Sequence, residues 1–122
     1  MKNSFAYAAY SQNNTAIESP EKLIEMLYEG VLRFSAQAIK SIDSNNLEKK
    51  TYWINRATAI FAELLNSINY SGGDVAHYLS GLYTRQLQLL ALANINNTKE
   101  PLEEVMKVTK GLLEAWRETT NL

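Results

Sequence analysis

Apolar residues recur along this chain in alternating steps of three and four, the spacing that gathers them on one face of an α-helix. They fall at Ile24, Leu27, Val31, Phe34 and Ala38, then at Ile54, Ala57, Phe61, Leu64 and Ile68. The rhythm resumes at Val75, Leu79, Leu82, Gln86, Leu89 and Ala93, and again at Leu102, Val105, Thr109, Leu112 and Trp116. Period-two alternation of β-branched residues is absent throughout. The pattern predicts four helices and no strands.

The breaks between these runs carry helix-ending chemistry. Ser19-Pro20 is a helix start, because a serine caps free amides and proline at the first helical position loses no bond. "DSNN" at 43–46 ends the first helix, with Asn45 or Asn46 available to cap the second. In "NYSGGD" at 69–74 the glycines are expected to end helix two, while Gly73-Asp74 opens helix three with an acid at its positive end. "NINNTKEP" at 94–101 is the last connection. Helices of about 20 residues are each roughly 30 Å long, and short connections make neighbours antiparallel. The predicted fold is all-α: an antiparallel up-down four-helix bundle over residues 19–122, preceded by an N-terminal aromatic arm over 1–18.

A bundle helix needs one apolar stripe, and several of these helices have two. Tyr28, Leu32 and Ile39 lie beside the main face of helix one, and Trp53 and Ile60 beside that of helix two. Helix three adds Tyr83, Leu87 and Leu90. Large contiguous apolar patches usually mark partner surfaces. The spare stripes therefore need a covering: a second copy, a separate partner, or the arm itself. That arm, "SFAYAAYSQNN" at 4–14, carries Phe5, Tyr7 and Tyr10 where tails are normally polar. Its rings fit either a displaceable lid over an apolar groove or a static cap on the bundle.

Composition narrows the function classes. The chain has 122 residues, 46% of them hydrophobic and 20% charged, which suits one globular domain. Net charge is -1 and no Lys/Arg run forms a patch, so a nucleic-acid role is not expected. There is no cysteine, hence no disulfide or thiolate metal site. The apolar part of "NSFAYAAY" is too short and too hydroxylated for a signal peptide. "VAHYLSGLYTRQLQLLALAN" carries Arg85, His77, Gln86 and Gln88, a poor composition for crossing a bilayer. A cytoplasmic protein without stable membrane insertion is expected.

Catalytic chemistry is poorly supplied. His77 is the single histidine, and Asp74-x-x-His77 is half of a di-iron motif that needs an acid-x-x-His pair from each of two helices. Glu21, Glu25 and Glu29 recur every four residues, and a solvated face is the expected reading. "SGGD" is too short for a phosphate loop and lacks the Lys-Ser/Thr that follows one. No enzyme, no cofactor and no metal site is expected.

"SPEKLIEMLYEG" at 19–30, "GGDVAHYLSGLY" at 72–83 and "LLEAWRE" at 112–118, together with the aromatic arm, resemble the FliS family of flagellin-specific flagellar secretion chaperones in order and spacing. The resemblance implies a cytoplasmic helical bundle that binds the disordered C-terminal segment of flagellin in apolar grooves. It would prevent premature polymerisation before type III flagellar export, with the client folding into helices and displacing the arm. The flagellar export apparatus and a co-chaperone are further partners it brings into view. Tyr10 matches a family arm tyrosine implicated in client binding, and Tyr7 occupies a neighbouring arm position of variable identity. Leu23, Ile24, Met26, Leu27 and Tyr28 match the helix-one motif, some of them necessarily as core. The partner-facing set is expected to be Tyr7, Tyr10, Tyr28, Trp53, Ile60, Tyr83 and Leu87. The alternative, from the structural class, is a self-associating bundle whose spare stripes make a homodimer without a client.

Overall fold

Proline at the first helical position loses no hydrogen bond and arrives with its φ already helical; here Pro20 starts α1, which runs Pro20–Asp43. It is followed by α2 (Leu47–Asn66), a 3-10 turn (Tyr70–Gly72), α3 (Asp74–Asn96) and α4 (Glu100–Thr120). The computed structural model describes residues 20–120. The expected arm at 1–18, with Phe5, Tyr7 and Tyr10, and the Ser19 cap lie outside the described residues.

The helices close a ring in chain order. α1 packs on α2 and α4, and α3 packs on the same two helices from the opposite side. Contacts between helix ends show the antiparallel register. Trp116, near the end of α4, donates its indole N–H to the Glu21 carbonyl in the first turn of α1 at 2.8 Å. Lys99, just before α4, pairs with Asp43 at the end of α1 at 2.8 Å. Lys50 in the first turn of α2 donates to the Asn94 carbonyl near the end of α3 at 3.0 Å. The architecture is the predicted up-down four-helix bundle, and the described residues contain no strand.

The first connection works as its four residues suggest. Asn45 takes a left-handed φ of 56°, a conformation that asparagine tolerates better than most residues. Its N–H reaches the Ile42 carbonyl at 3.0 Å, and the Asn46 N–H reaches Ser41 at 2.8 Å, which closes the end of α1. Asn46 then caps α2, its side-chain oxygen accepting from the Lys49 N–H at 3.0 Å.

The second connection departs from expectation. Helix α2 ends at Asn66, short of the glycines, and Ile68 is buried from outside the helix. Gly73, at φ 83°, is the N-cap of α3, which opens at Gly73-Asp74 as expected. A positive φ is open to glycine without a Cβ penalty, so the glycine's work is to start α3 rather than to stop α2.

The core follows the periodic runs. Ile24, Val31, Ile54, Phe61, Leu64, Leu79, Leu102, Val105 and Trp116 are buried, as are the polar Gln86 and Thr109 that kept the rhythm of α3 and α4. Among the described residues no helix is long and apolar enough to cross a membrane.

Candidate functional site

Gly30 sets how closely α1 and α2 approach. A Cβ at this position would stand 2.9 Å from Ile60 Cδ1, so the bare α-carbon lets Ile60 rest against the α1 backbone. Over this contact the two helices leave an open groove of about 690 Å³. Leu23, Met26 and Leu27 form its α1 wall, and Ala59, Ile60 and Glu63 its α2 wall. Met26 is 54% exposed, and its unbranched, polarizable side chain can reshape to an incoming surface. From Leu23 to Phe34 the groove follows roughly 16 Å of α1, about three helical turns.

One end of the groove is aromatic and cationic. Phe34 stacks on Trp53 with centroids 5.6 Å apart, and Tyr52 meets Trp53 edge-on at 4.8 Å. The guanidinium groups of Arg33 and Arg56 lie 5.3 Å and 4.7 Å from the Phe34 centroid. Arg56 also donates to the Tyr52 hydroxyl at 3.2 Å. These contacts hold two positive charges beside an apolar floor.

The residues expected to face a partner are dispersed. Ile60 lies in the groove. Trp53 is half-buried behind Phe34 and borders a separate polar cleft of about 460 Å³ with Gln37, Lys40 and Lys49. Leu87 is half-buried against the core on α3, away from the groove. Tyr28 and Tyr83, expected on exposed stripes, are corrected to core: both rings are buried and their hydroxyls lie 2.6 Å apart. Ile24, Val31 and Ala38 keep the expected inward face of α1, and only its margin differs. Leu27 and Phe34, expected in the core, line the groove, while Tyr28 takes an inward position. Within the helix-one motif, Ile24 and Tyr28 are core and Leu23, Met26 and Leu27 are groove.

Sequence reasoning missed Tyr52, Arg33 and Arg56. The available signal was the spacing of four between Tyr52 and Arg56, which places them on one helix face beside Trp53.

The glutamate row on α1 is also corrected. Glu21 and Glu25 are buried rather than solvated. Arg117 of α4 donates to Glu25 at 2.7 Å and to Glu29 at 2.6 Å, and Lys22 reaches Glu25 at 3.0 Å. The Arg117 hydrogen bond, followed by that of Lys22, holds the Glu25 carboxyl below its ordinary value. The row is therefore a brace between α1 and α4. His77 packs its ring on Tyr70 at 5.2 Å, and Asp74 stands in the first turn of α3. Among the described residues no three His, Cys, Asp or Glu side chains gather in a way that could hold a metal ion. The groove can bind an apolar helical face; it presents no group arranged to react.

The sequence also matches known proteins. The model of the family described as flagellar protein FliS matches residues 1–122. The chain is 60% identical to the flagellar secretion chaperone FliS of Campylobacter jejuni over 122 residues, 99% of this chain and 95% of that protein. The same-named protein of Bacillus subtilis is 30% identical over 112 residues, 92% of this chain and 84% of its own. That of Salmonella typhimurium is 29% identical over 116 residues, 93% and 86% of the two chains. This chain belongs to the FliS family of flagellar secretion chaperones, which are not enzymes.

Proposed function

We propose that the groove between α1 and α2 holds the C-terminal segment of flagellin as an amphipathic helix and keeps it from polymerising before export. The observation that carries this reading is an apolar groove about three turns long, floored by the Gly30–Ile60 contact, in a chain of the FliS family. A segment that packs against copies of itself in a filament must carry an apolar face. Laying that face in the groove occupies the surface that polymerisation needs. Helix-in-groove docking supplies the burial, and the cost of ordering the segment keeps affinity below what the contact area suggests.

The proposed place of action is the cytoplasm, with the client handed to the type III flagellar export apparatus. In the same reading the arm, with Tyr7 and Tyr10, competes for the groove and is displaced by the client. Self-competition lowers apparent affinity by the fraction of time the groove is open. It also shields Met26 and Leu27 in the empty chaperone.

Co-purification with full-length flagellin, and with flagellin lacking its C-terminal segment, tests the client. Met26→Glu tests the groove, because Met26 is exposed and its replacement leaves the core intact. Binding should be lost with the truncated flagellin and fall at least roughly tenfold with Met26→Glu, since a charge is set against an apolar face. Full binding by the truncated flagellin would reject the client segment, and full binding by Met26→Glu would reject the groove.

A further inference from the structure

The groove between α1 and α2 is charged differently at its two ends. Of its lining side chains only Glu63, Arg33 and Arg56 carry charge. Arg56 lies over Phe34 and Ile60 against Gly30, so the next turn of α2 brings Glu63 to the Leu27 end. Two turns of α2, roughly 10 Å, separate Glu63 from Arg56. The cationic character continues past Phe34. Tyr52 borders both the groove and the polar cleft beside Trp53, where Lys40 and Lys49 stand with Gln37, Ser41 and Ser44. No carboxylate lines that cleft. Among the described residues none of Arg33, Arg56, Lys40 and Lys49 forms an ion pair with a carboxylate.

A helix laid in the groove meets these charges as a dipole. Its amino end carries partial positive charge; its carboxyl end carries partial negative charge and carbonyls without intrahelical partners. With the amino end at Glu63 and the carboxyl end at Arg33 and Arg56, both ends are stabilised, whereas the reversed helix is repelled at both. Beyond its last turn lies the polar cleft, whose ammonium, hydroxyl and amide donors suit the last carbonyls and the free α-carboxylate of a chain end. We infer that the groove fixes the direction of the client helix, which runs parallel to α1 with its C-terminal carboxylate held in the cleft by Lys40 and Lys49. The occupant of the cleft is the end of the flagellin chain itself. This rests on the client reading above and adds to it a polarity and the recognition of a chain terminus.

Such a device supplies what an apolar groove lacks. Burial is non-directional, so an apolar floor alone accepts an amphipathic helix in either sense. A cleft that holds an α-carboxylate also separates the end of a chain from an internal amphipathic helix, which has no free carboxyl group to offer and leaves the lysines without an anion.

Calorimetry on the full chain with a synthetic flagellin C-terminal peptide, as free acid and as C-terminal amide, tests the terminus. The acid should bind at least about threefold more tightly at low salt, and the gap should narrow in about 0.5 M salt, where exposed charges are screened. Lys40→Gln with Lys49→Gln should erase most of the gap; both lysines are exposed, so circular dichroism should be unchanged. Direction is read by disulfide trapping, since the chain has no cysteine of its own. A peptide whose last residue is cysteine should be trapped by Gln37→Cys and not by Met26→Cys. Equal affinity of acid and amide would overturn the inference, and so would trapping by Met26→Cys in preference to Gln37→Cys. Equal affinity with both forms weakened by the lysine changes would overturn it too, by assigning the cleft to an acidic side chain. In each of these outcomes the peptide still binds, so the client reading stands; failure of both forms to bind would remove the two together.

Discussion

The hydroxyls of Tyr28 on α1 and Tyr83 on α3 lie 2.6 Å apart in the interior of the bundle, joining two helices that stand across the ring from each other. A buried hydroxyl without a partner is costly, so the pair ties the placement of one ring to the other. Tyr28→Phe should lose about 1–2 kcal/mol in urea unfolding by taking this partner from Tyr83. Tyr28→Phe with Tyr83→Phe should cost less than the sum of the two single changes. Strictly additive losses would show that the hydroxyls act independently.

The same pair sets an alkaline limit. Burial foremost, and then the Tyr83 hydroxyl, push Tyr28 well above the ordinary tyrosine value of 10.0. A raised folded-state value means that the stabilisation is whole below the unfolded value and is lost as pH climbs above it. Phenolate absorbance titration should therefore show a tyrosine that ionises only as circular dichroism reports unfolding. Smooth ionisation in the folded protein would contradict this burial.

Acid should act through Glu25. Its folded-state value is depressed by Arg117 first and Lys22 second, so its contribution is present above the ordinary value of 4.5 and fades as pH falls below it. Glu25→Gln should lower stability at neutral pH and flatten the acid limb of the stability–pH profile. An unchanged acid limb would remove the brace between α1 and α4 from the account.

Gly30→Ala sets two effects against each other. Alanine gains about 1 kcal/mol of helix propensity over glycine, but its Cβ would meet the flexible tip of Ile60 at 2.9 Å. Stability should change by less than about 1 kcal/mol while flagellin peptide binding weakens, because the groove floor shifts. Adding Ile60→Val removes the colliding Cδ1, and calorimetry should show part of the affinity restored. No recovery would mean that the floor is not set by this contact.

Arg56→Ala removes the guanidinium from the Phe34 ring and from the Tyr52 hydroxyl. Exposed cation–π contacts contribute about 0.5–1 kcal/mol, so peptide affinity should fall a few-fold through a loosened groove end, with little change in melting temperature. Wild-type affinity in this variant would confine binding to the apolar part of the groove.

The sequence by itself determined the four helices, because the 3.6-residue period and the breaks between runs are local properties. "DSNN" shows why local chemistry suffices there: Asn45 supplies the left-handed turn and Asn46 the next cap. It also determined most of the core of α3 and α4, where Leu79, Leu89, Leu102, Val105 and Trp116 leave one inward face.

Only the tertiary structure decided between adjacent apolar stripes. Leu27 and Tyr28 are one residue and about 100° apart on α1, so either can point inward as far as periodicity is concerned. Tyr28 goes in because Tyr83 meets its hydroxyl, and Leu27 turns out to wall the groove. The glutamate row is a similar case: its period of four reads as a solvated face until Arg117, 92 residues beyond Glu25, packs against it. The groove likewise depends on packing: it exists where Gly30 admits Ile60.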